Sequence, residues 1–225
     1  IDRAIEHMEF QRRAMQMTRE KLSKSKSLIG FVGGLWTLLR FAIDKNKPIN
    51  QIEDFHFNFL ENVLLPLVKK NIKLQLDSGA EIVMIFDSGV HDIDSMTYSS
   101  NYILLINDIV KSFPNKIGYY FRGKELNDTK KLFESPLAGI GINHQVNIKE
   151  AFSSYKNGFI QGNFDESKMV LSTEALKNEI NLFCEKMESI NETAGWICSL
   201  GHGINKSTPE KNVHIFIEEI RKNFS

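Results

Sequence analysis

Six short apolar runs, each followed by a segment with helical spacing, constrain this chain more than any other feature. The runs are Leu28-Ile29-Gly30-Phe31-Val32, Glu81 to Phe86, Lys116 to Phe121, Leu137 to Ile142, Phe159-Ile160-Gln161 and Gly195 to Leu200. Each is too short for a buried helix and is bounded by turn-forming residues, so each reads as a strand. Most are continuously apolar, the pattern of strands covered on both faces. Strands that alternate with helices imply right-handed βαβ units and a parallel sheet.

The helical segments carry their own punctuation. Residues 3 to 22 form a loosely amphipathic helix, and Trp36 to Ile43 a second. A longer one runs from about Ile52, with Leu60, Leu64, Leu67, Val68, Ile72 and Leu76 at three- and four-residue steps; Pro66 inside it predicts a kink or break. Further helices are expected over Tyr102 to Val110, near 125 to 134 and over Ile148 to Tyr155. Ser172 is a good N-cap ahead of an apolar face of Leu176, Ile180, Phe183, Cys184 and Met187. Thr208 is expected to cap the last helix, with Pro209 at its first position and a buried stripe of Val213, Phe216, Ile217 and Ile220.

Two architectures suit this order. An open doubly wound sheet uses about this many strands, whereas a (β/α)8 barrel needs two more units at its size of ~250 residues. The 225 residues suit a single α/β domain over 1–225. The chain has no initiator Met and opens inside a helix, which fits a barrel whose first two units lie upstream.

Composition removes several functions. With 28 basic and 28 acidic residues the net charge is zero, and no local basic stripe stands out, so neither nucleic acid nor an anionic membrane is the expected partner. No apolar run approaches the ~18 residues of a membrane span, and Ile1-Asp2-Arg3 does not open a secretory signal. Cys184 and Cys198 cannot build a disulfide framework and are expected to be buried thiols in a cytoplasmic protein.

In either architecture the working groups lie beyond the C-terminal ends of the strands. That filter selects Gly33 to Thr37, Asp87-Ser88, Arg122, Asn143-His144, Gly162 to Asp165 and Gly201-His202-Gly203. Each has a structural alternative. His202 between two glycines is placed as a donor or acid, or as a turn residue. Asp87-Ser88 suits an Asx turn, Asp165 a helix cap, Arg122 a surface position and His144 a packed core. His7, His56, His91 and His214 lack metal-ligand spacing, so no metal site is expected. Gly30 to Gly34 does not complete a dinucleotide fingerprint, and nothing matches a P-loop.

Together these strand ends resemble the uroporphyrinogen decarboxylase family. Gly30 to Leu38 resembles its G-F-[AS]-G-[AS]-P-W-T-L segment, and Gly79 to Ser88 its G-A-x-x-x-x-I-F-[DE]-S strand end. Gln161 to Asp165 is similar to Q-G-N-L-D-P. Leu200 to Ile204, with Thr208-Pro209-Glu210 and Asn212-Val213, is similar to L-G-H-G-I followed by T-P-x-E-N-V. Four collinear motifs over nearly the whole chain favour the barrel. The resemblance implies cofactor-free removal of four acetate carboxyls from uroporphyrinogen, giving coproporphyrinogen in heme biosynthesis, by a homodimer. It assigns Ser88 and His202 to catalysis and substrate binding, and Phe41 to the substrate pocket. Phe41 stands where the family has tyrosine, Leu35 and Glu166 where it has proline, and Asn143 where it usually has aspartate. Two alternatives stay open: a diverged tetrapyrrole-binding member without activity, and a cobalamin- or coenzyme-M-linked methyltransferase. The latter's zinc motif is lacking at Phe121-Arg122-Gly123, and His202 occupies the position of its later cysteine.

Overall fold

The structure, a computed structural model, describes residues 2–43, 53–190 and 193–224. Its contacts divide the chain into two compact units, Ile1–Ile140 and Gly141–Ser225.

In the first unit, helices α1 (Asp2–Glu6) and α2 (Glu9–Lys21) precede strand β1 (Ile29–Gly33) and helix α3 (Leu35–Ile43). Helices α4 (Asp54–Phe59) and α5 (Leu65–Asp77) lead to β2 (Ile82–Asp87), then α6 (Ser95–Thr97), α7 (Ile103–Ser112), β3 (Ile117–Phe121) and α8 (Leu126–Phe133). Residue 52, where the sequence places the start of the long helix, lies outside the described residues. The disturbance expected at Pro66 is a π turn over Leu60–Leu64, in which the Leu65 N–H reaches back to the Leu60 carbonyl. Pro66 therefore falls in the first turn of α5, where its missing N–H breaks no helical bond.

The strands pair in parallel, Ile29↔Ile82 to Gly33↔Phe86 and Val83↔Ile117 to Asp87↔Phe121. This register puts Val83, Ile85 and Asp87 on one face with Ile117, Tyr119 and Phe121, all fully buried. On the opposite face Phe31, Phe86 and Tyr120 form a row with ring centroids 6.2 and 5.9 Å apart. The expected burial on both faces holds for β3, but Phe31 is 68% exposed and Phe86 38%, so at β1 that row is open. A strand's composition records the environment its side chains prefer, not which neighbour covers them.

Strand β4 (Gly139–Ile142) falls at the division. The second unit continues with α9 (Ile148–Ser154), β5 (Phe159–Phe164), α10 (Thr173–Glu188), β6 (Trp196–Leu200) and α11 (Glu210–Phe224). Strands β5 and β6 pair in parallel from Ile160↔Trp196 to Phe164↔Leu200. Ser172 caps α10 as expected, accepting from the Ala175 N–H, and all five residues of the expected face are buried. Phe164 packs against Phe183 and Phe216 at 5.4 and 5.0 Å between ring centroids.

The start of α11 differs from expectation. Among the described residues Thr208 Oγ1 has no hydrogen-bond partner, the helix begins at Glu210, and Ile217 is 40% exposed. Phe216 is buried as expected, together with Asn212 and Ile215, which the expected stripe did not include. Asn212 sets this rotation: its amide donates to the carbonyls of Met169 and Leu171, both at 2.9 Å, drawing its side of the helix inward. Leaving those buried acceptors unpaired costs about 2 kcal/mol. Asn212→Ala is expected to lower the urea midpoint accordingly, and an unchanged midpoint contradicts this role for Asn212.

Candidate functional site

The first unit's strand ends are organised by Asp87, the last residue of β2. Alternation along the strand turns its side chain to the helix-covered face, where it is fully buried. Its Oδ1 accepts from the Thr37 N–H at 3.2 Å and the Thr37 hydroxyl at 2.9 Å. Its Oδ2 accepts a short hydrogen bond from Tyr102 and another from Tyr119 at 3.3 Å. Tyr98 donates to Tyr119 at 3.2 Å, and the Trp36 N–H donates to the Tyr102 oxygen at 2.8 Å. A second π turn, Tyr98–Tyr102, brings Tyr98 and Tyr102 inward with their rings 5.8 Å apart. Gly34 has no room for a side chain: a Cβ there would lie 2.1 Å from Asp87 Cγ.

Ser88 follows in a turn and is half-buried. The Thr37 hydroxyl that donates to Asp87 also accepts from the Gly89 N–H at 3.0 Å, so one side chain clamps both sides of Ser88. The Ser88 carbonyl lies 2.8 Å from His91 Nδ1, while His91 Nε2 lies 3.0 Å from Asp92 and Arg40 Nε 2.9 Å from the same carboxylate. Phe41, one turn beyond Thr37 on α3, is 65% exposed. Arg40, Asp92 and His91 thus join the surroundings of Ser88. The sequence signal was the helical i, i+3, i+4 spacing of Thr37, Arg40 and Phe41. A groove of about 510 Å³ lined by Asp54, Asn62, Asn101 and Leu105 lies among the helices and does not include Ser88.

In the second unit Asn163 has the corresponding role. Its amide donates to the carbonyls of Asn143 at 2.9 Å and Val146 at 2.8 Å, holding the turn after β4. Gly201 packs on that turn; a Cβ there would lie 2.5 Å from the His144 nitrogen. His202 follows, partly exposed, with its Nδ1 accepting from the Gly203 N–H. Asn143, selected among the strand-end residues, is 4% exposed.

His144 is not a core histidine: its side chain is 33% exposed, 3.1 Å from Glu166 Oε2 and 3.7 Å from Asp165 Oδ1. Asp165 does cap a turn, accepting from the Ser167 N–H at 2.9 Å. Partial burial pushes its pKa up, but Ser167, His144 and Lys168 outweigh this and hold it below the usual value. Arg122 is exposed. Both cysteines are free; Cys184 is buried, Cys198 only partly, and desolvation raises the Cys198 pKa to about 12. Among the described residues no helix is long and apolar enough to cross a membrane.

Burial raises the Asp87 pKa from 3.8 to about 6, against the opposing hydrogen bonds from Tyr102, Thr37 and Tyr119. Between those two values the folded chain keeps a proton that the unfolded chain has released, so this group's contribution to stability falls as pH rises from about 4 to 6. Asp87→Asn removes that dependence. Its stability relative to wild type is expected to rise by about 3 kcal/mol at most between pH 4 and 7 in urea titrations, whereas parallel pH profiles contradict it.

The profile of the uroporphyrinogen decarboxylase (URO-D) family matches residues 1–223. The chain is 30% identical to a uroporphyrinogen decarboxylase of Orientia tsutsugamushi (strain Ikeda) over 92% of its own length and 64% of the relative's. It is 26% identical to one of Trichodesmium erythraeum, over 96% and 64% of the two chains. It thus spans just under two thirds of these relatives. Among solved structures, a methyltransferase from Methanosarcina mazei superposes with a TM-score of 0.75 at 14% identity, over 95% of this chain and 64% of that one. A putative vitamin-B12 independent methionine synthase from Listeria monocytogenes gives 0.61, also at 14% identity, over 95% and 69%. At such identities these structures share the fold alone. The match over residues 1–223, through every strand end described above, means that the chain belongs to the uroporphyrinogen decarboxylase family.

Proposed function

We propose that the protein is a uroporphyrinogen decarboxylase, removing the four acetate carboxyls of uroporphyrinogen to give coproporphyrinogen. The observation that carries this is the Thr37 clamp. A motif that resembles the family's strand end is held from both sides, with Ser88 between Asp87 and Gly89 as the half-buried polar side chain it presents. The alternating units fit the last six of an eight-unit barrel forming one domain, and the open aromatic row at β1 suits a strand whose inner neighbour is supplied by further chain. The family's usual state, a cytoplasmic homodimer, is part of the same proposal.

The chemistry needs little from the protein. Breaking the bond between an acetate methylene and its carboxylate releases CO2 and leaves an electron pair on carbon. A pyrrole ring protonated beside that methylene accepts the pair; a proton delivered to the methylene then makes the methyl group, and loss of the ring proton restores the pyrrole. Each arm therefore consumes one proton and yields one CO2, with the substrate as its own electron sink. The protein supplies orientation, charge compensation and proton delivery. In this scheme the Ser88 hydroxyl donates to a substrate carboxylate, the His202 imidazole binds another or passes the proton, and the Phe41 ring packs on the macrocycle.

A hydrogen bond to a charged group contributes about 1.5 to 3 kcal/mol. Ser88→Ala and His202→Ala in the full-length protein are therefore expected to lower kcat/KM roughly 10- to 100-fold with unchanged melting. Full activity in both variants removes these assignments. The absence of the phenol at Phe41, together with the buried amide of Asn143, favours a second reading in which the macrocycle is bound but turned over slowly or not at all. Phe41→Tyr separates the two: kcat/KM rises up to about tenfold if the pocket is catalytic, and only tetrapyrrole affinity changes if it is a binding site.

A further inference from the structure

The turns after β4 and β5 bring together three side chains that decarboxylation does not use. His144 lies two residues beyond Ile142, and Asp165 and Glu166 immediately follow Phe164. One ligand atom from each lies within 4.8 Å of the others, with His144 Nδ1 3.1 Å from Glu166 Oε2 and 3.7 Å from Asp165 Oδ1. Ligand atoms around a tetrahedral zinc, with bonds of about 2.1 Å, stand about 3.4 Å apart. The two distances from the imidazole bracket that spacing, and all three ligand atoms lie within 4.8 Å of one another.

The donors and their support favour a metal over a loose ion cluster. One imidazole nitrogen and two carboxylates suit a divalent first-row transition cation, whereas magnesium prefers oxygen ligands and its own water. Two carboxylates neutralise the ion, and their side chains are 29% and 18% exposed, open to entry yet partly desolvated. Asn163 fixes the His144 turn through two carbonyls, Ser167 fixes Asp165, and Lys168, whose charge also reaches Asp165, is hydrogen-bonded to Glu179 at 3.4 Å. The second carboxylate, Glu166, stands at the position where the matching family motif has proline.

We propose that His144, Asp165 and Glu166 form a mononuclear site for a divalent transition cation of the zinc class, its remaining positions open to water or an anionic ligand. The site is independent of the decarboxylation reading and is tested by the metal itself.

Metal-stripped full-length protein is titrated with Zn2+ by calorimetry, and the bound metal is counted after dialysis. One zinc per chain is expected. His144→Gln, Glu166→Gln and Asp165→Asn should each weaken it at least about tenfold, since even outer-shell changes have effects of that size. Glu210→Gln, a carboxylate 92% exposed on α11, should leave it unchanged. Asparagine caps as well as aspartate, so loss of zinc in Asp165→Asn is not a folding effect. Replacing zinc by Co2+ should give a visible absorption band that His144→Gln abolishes. The absence of zinc binding in the wild type, or zinc retained with unchanged affinity in all three variants, leaves an ion cluster only and overturns the site.

Discussion

A carboxylate buried at the end of a strand is the constraint on which the first unit's strand-end geometry depends. Asp87 lies among tyrosines with no exposed surface, so its charge survives only because donors converge on it from α3, the π turn before α7 and β3. That requirement spreads outward. Gly34 has to be glycine because the carboxylate occupies the space of its side chain, and Thr37 must carry a hydroxyl because it serves Asp87 and Gly89 at once. Asp87 thus acts structurally, facing the helices, and the neighbouring Ser88 is the residue its network positions. A burial-raised pKa of about 6 is a consequence of that location rather than a sign of acid catalysis.

The second unit reaches the same end with neutral groups. Asn163 holds two carbonyls of the turn after β4, and Asn212 holds two near the turn after β5. In the sequence both asparagines belong to motifs that resemble family signatures. Their contacts are to backbone, and what they fix is where the next strand end lies. Gly201, packed on the His144 turn, then sets the position from which His202 projects.

What was legible in the sequence was local. The six strands and the face of α10 follow from short periodicities, and each is found where the pattern puts it. What was not legible depends on partners distant in sequence. The α11 stripe is rotated because Asn212 reaches residues some forty positions earlier, as the hydrogen bonds to Met169 and Leu171 record. The packed-core alternative for His144 fails because its neighbour Glu166 lies 22 residues on, which nothing nearby predicts. The strand-end filter found Ser88, His202 and Asp165, but not Arg40 or Asp92, since helix and turn residues enter the surroundings of Ser88 only through tertiary packing.

The fold is shared with methyltransferases at 14% identity, so architecture alone does not choose the chemistry. Family motifs run from β1 to α11, and the decarboxylase reading rests on them rather than on the fold. The most direct test is anaerobic incubation of the full-length protein with uroporphyrinogen, followed by chromatography of the oxidised products. The account predicts stepwise loss of carboxyls ending in the tetracarboxylate, with four CO2 released per macrocycle. Recovery of the octacarboxylate intact, from protein shown to be folded, would contradict it.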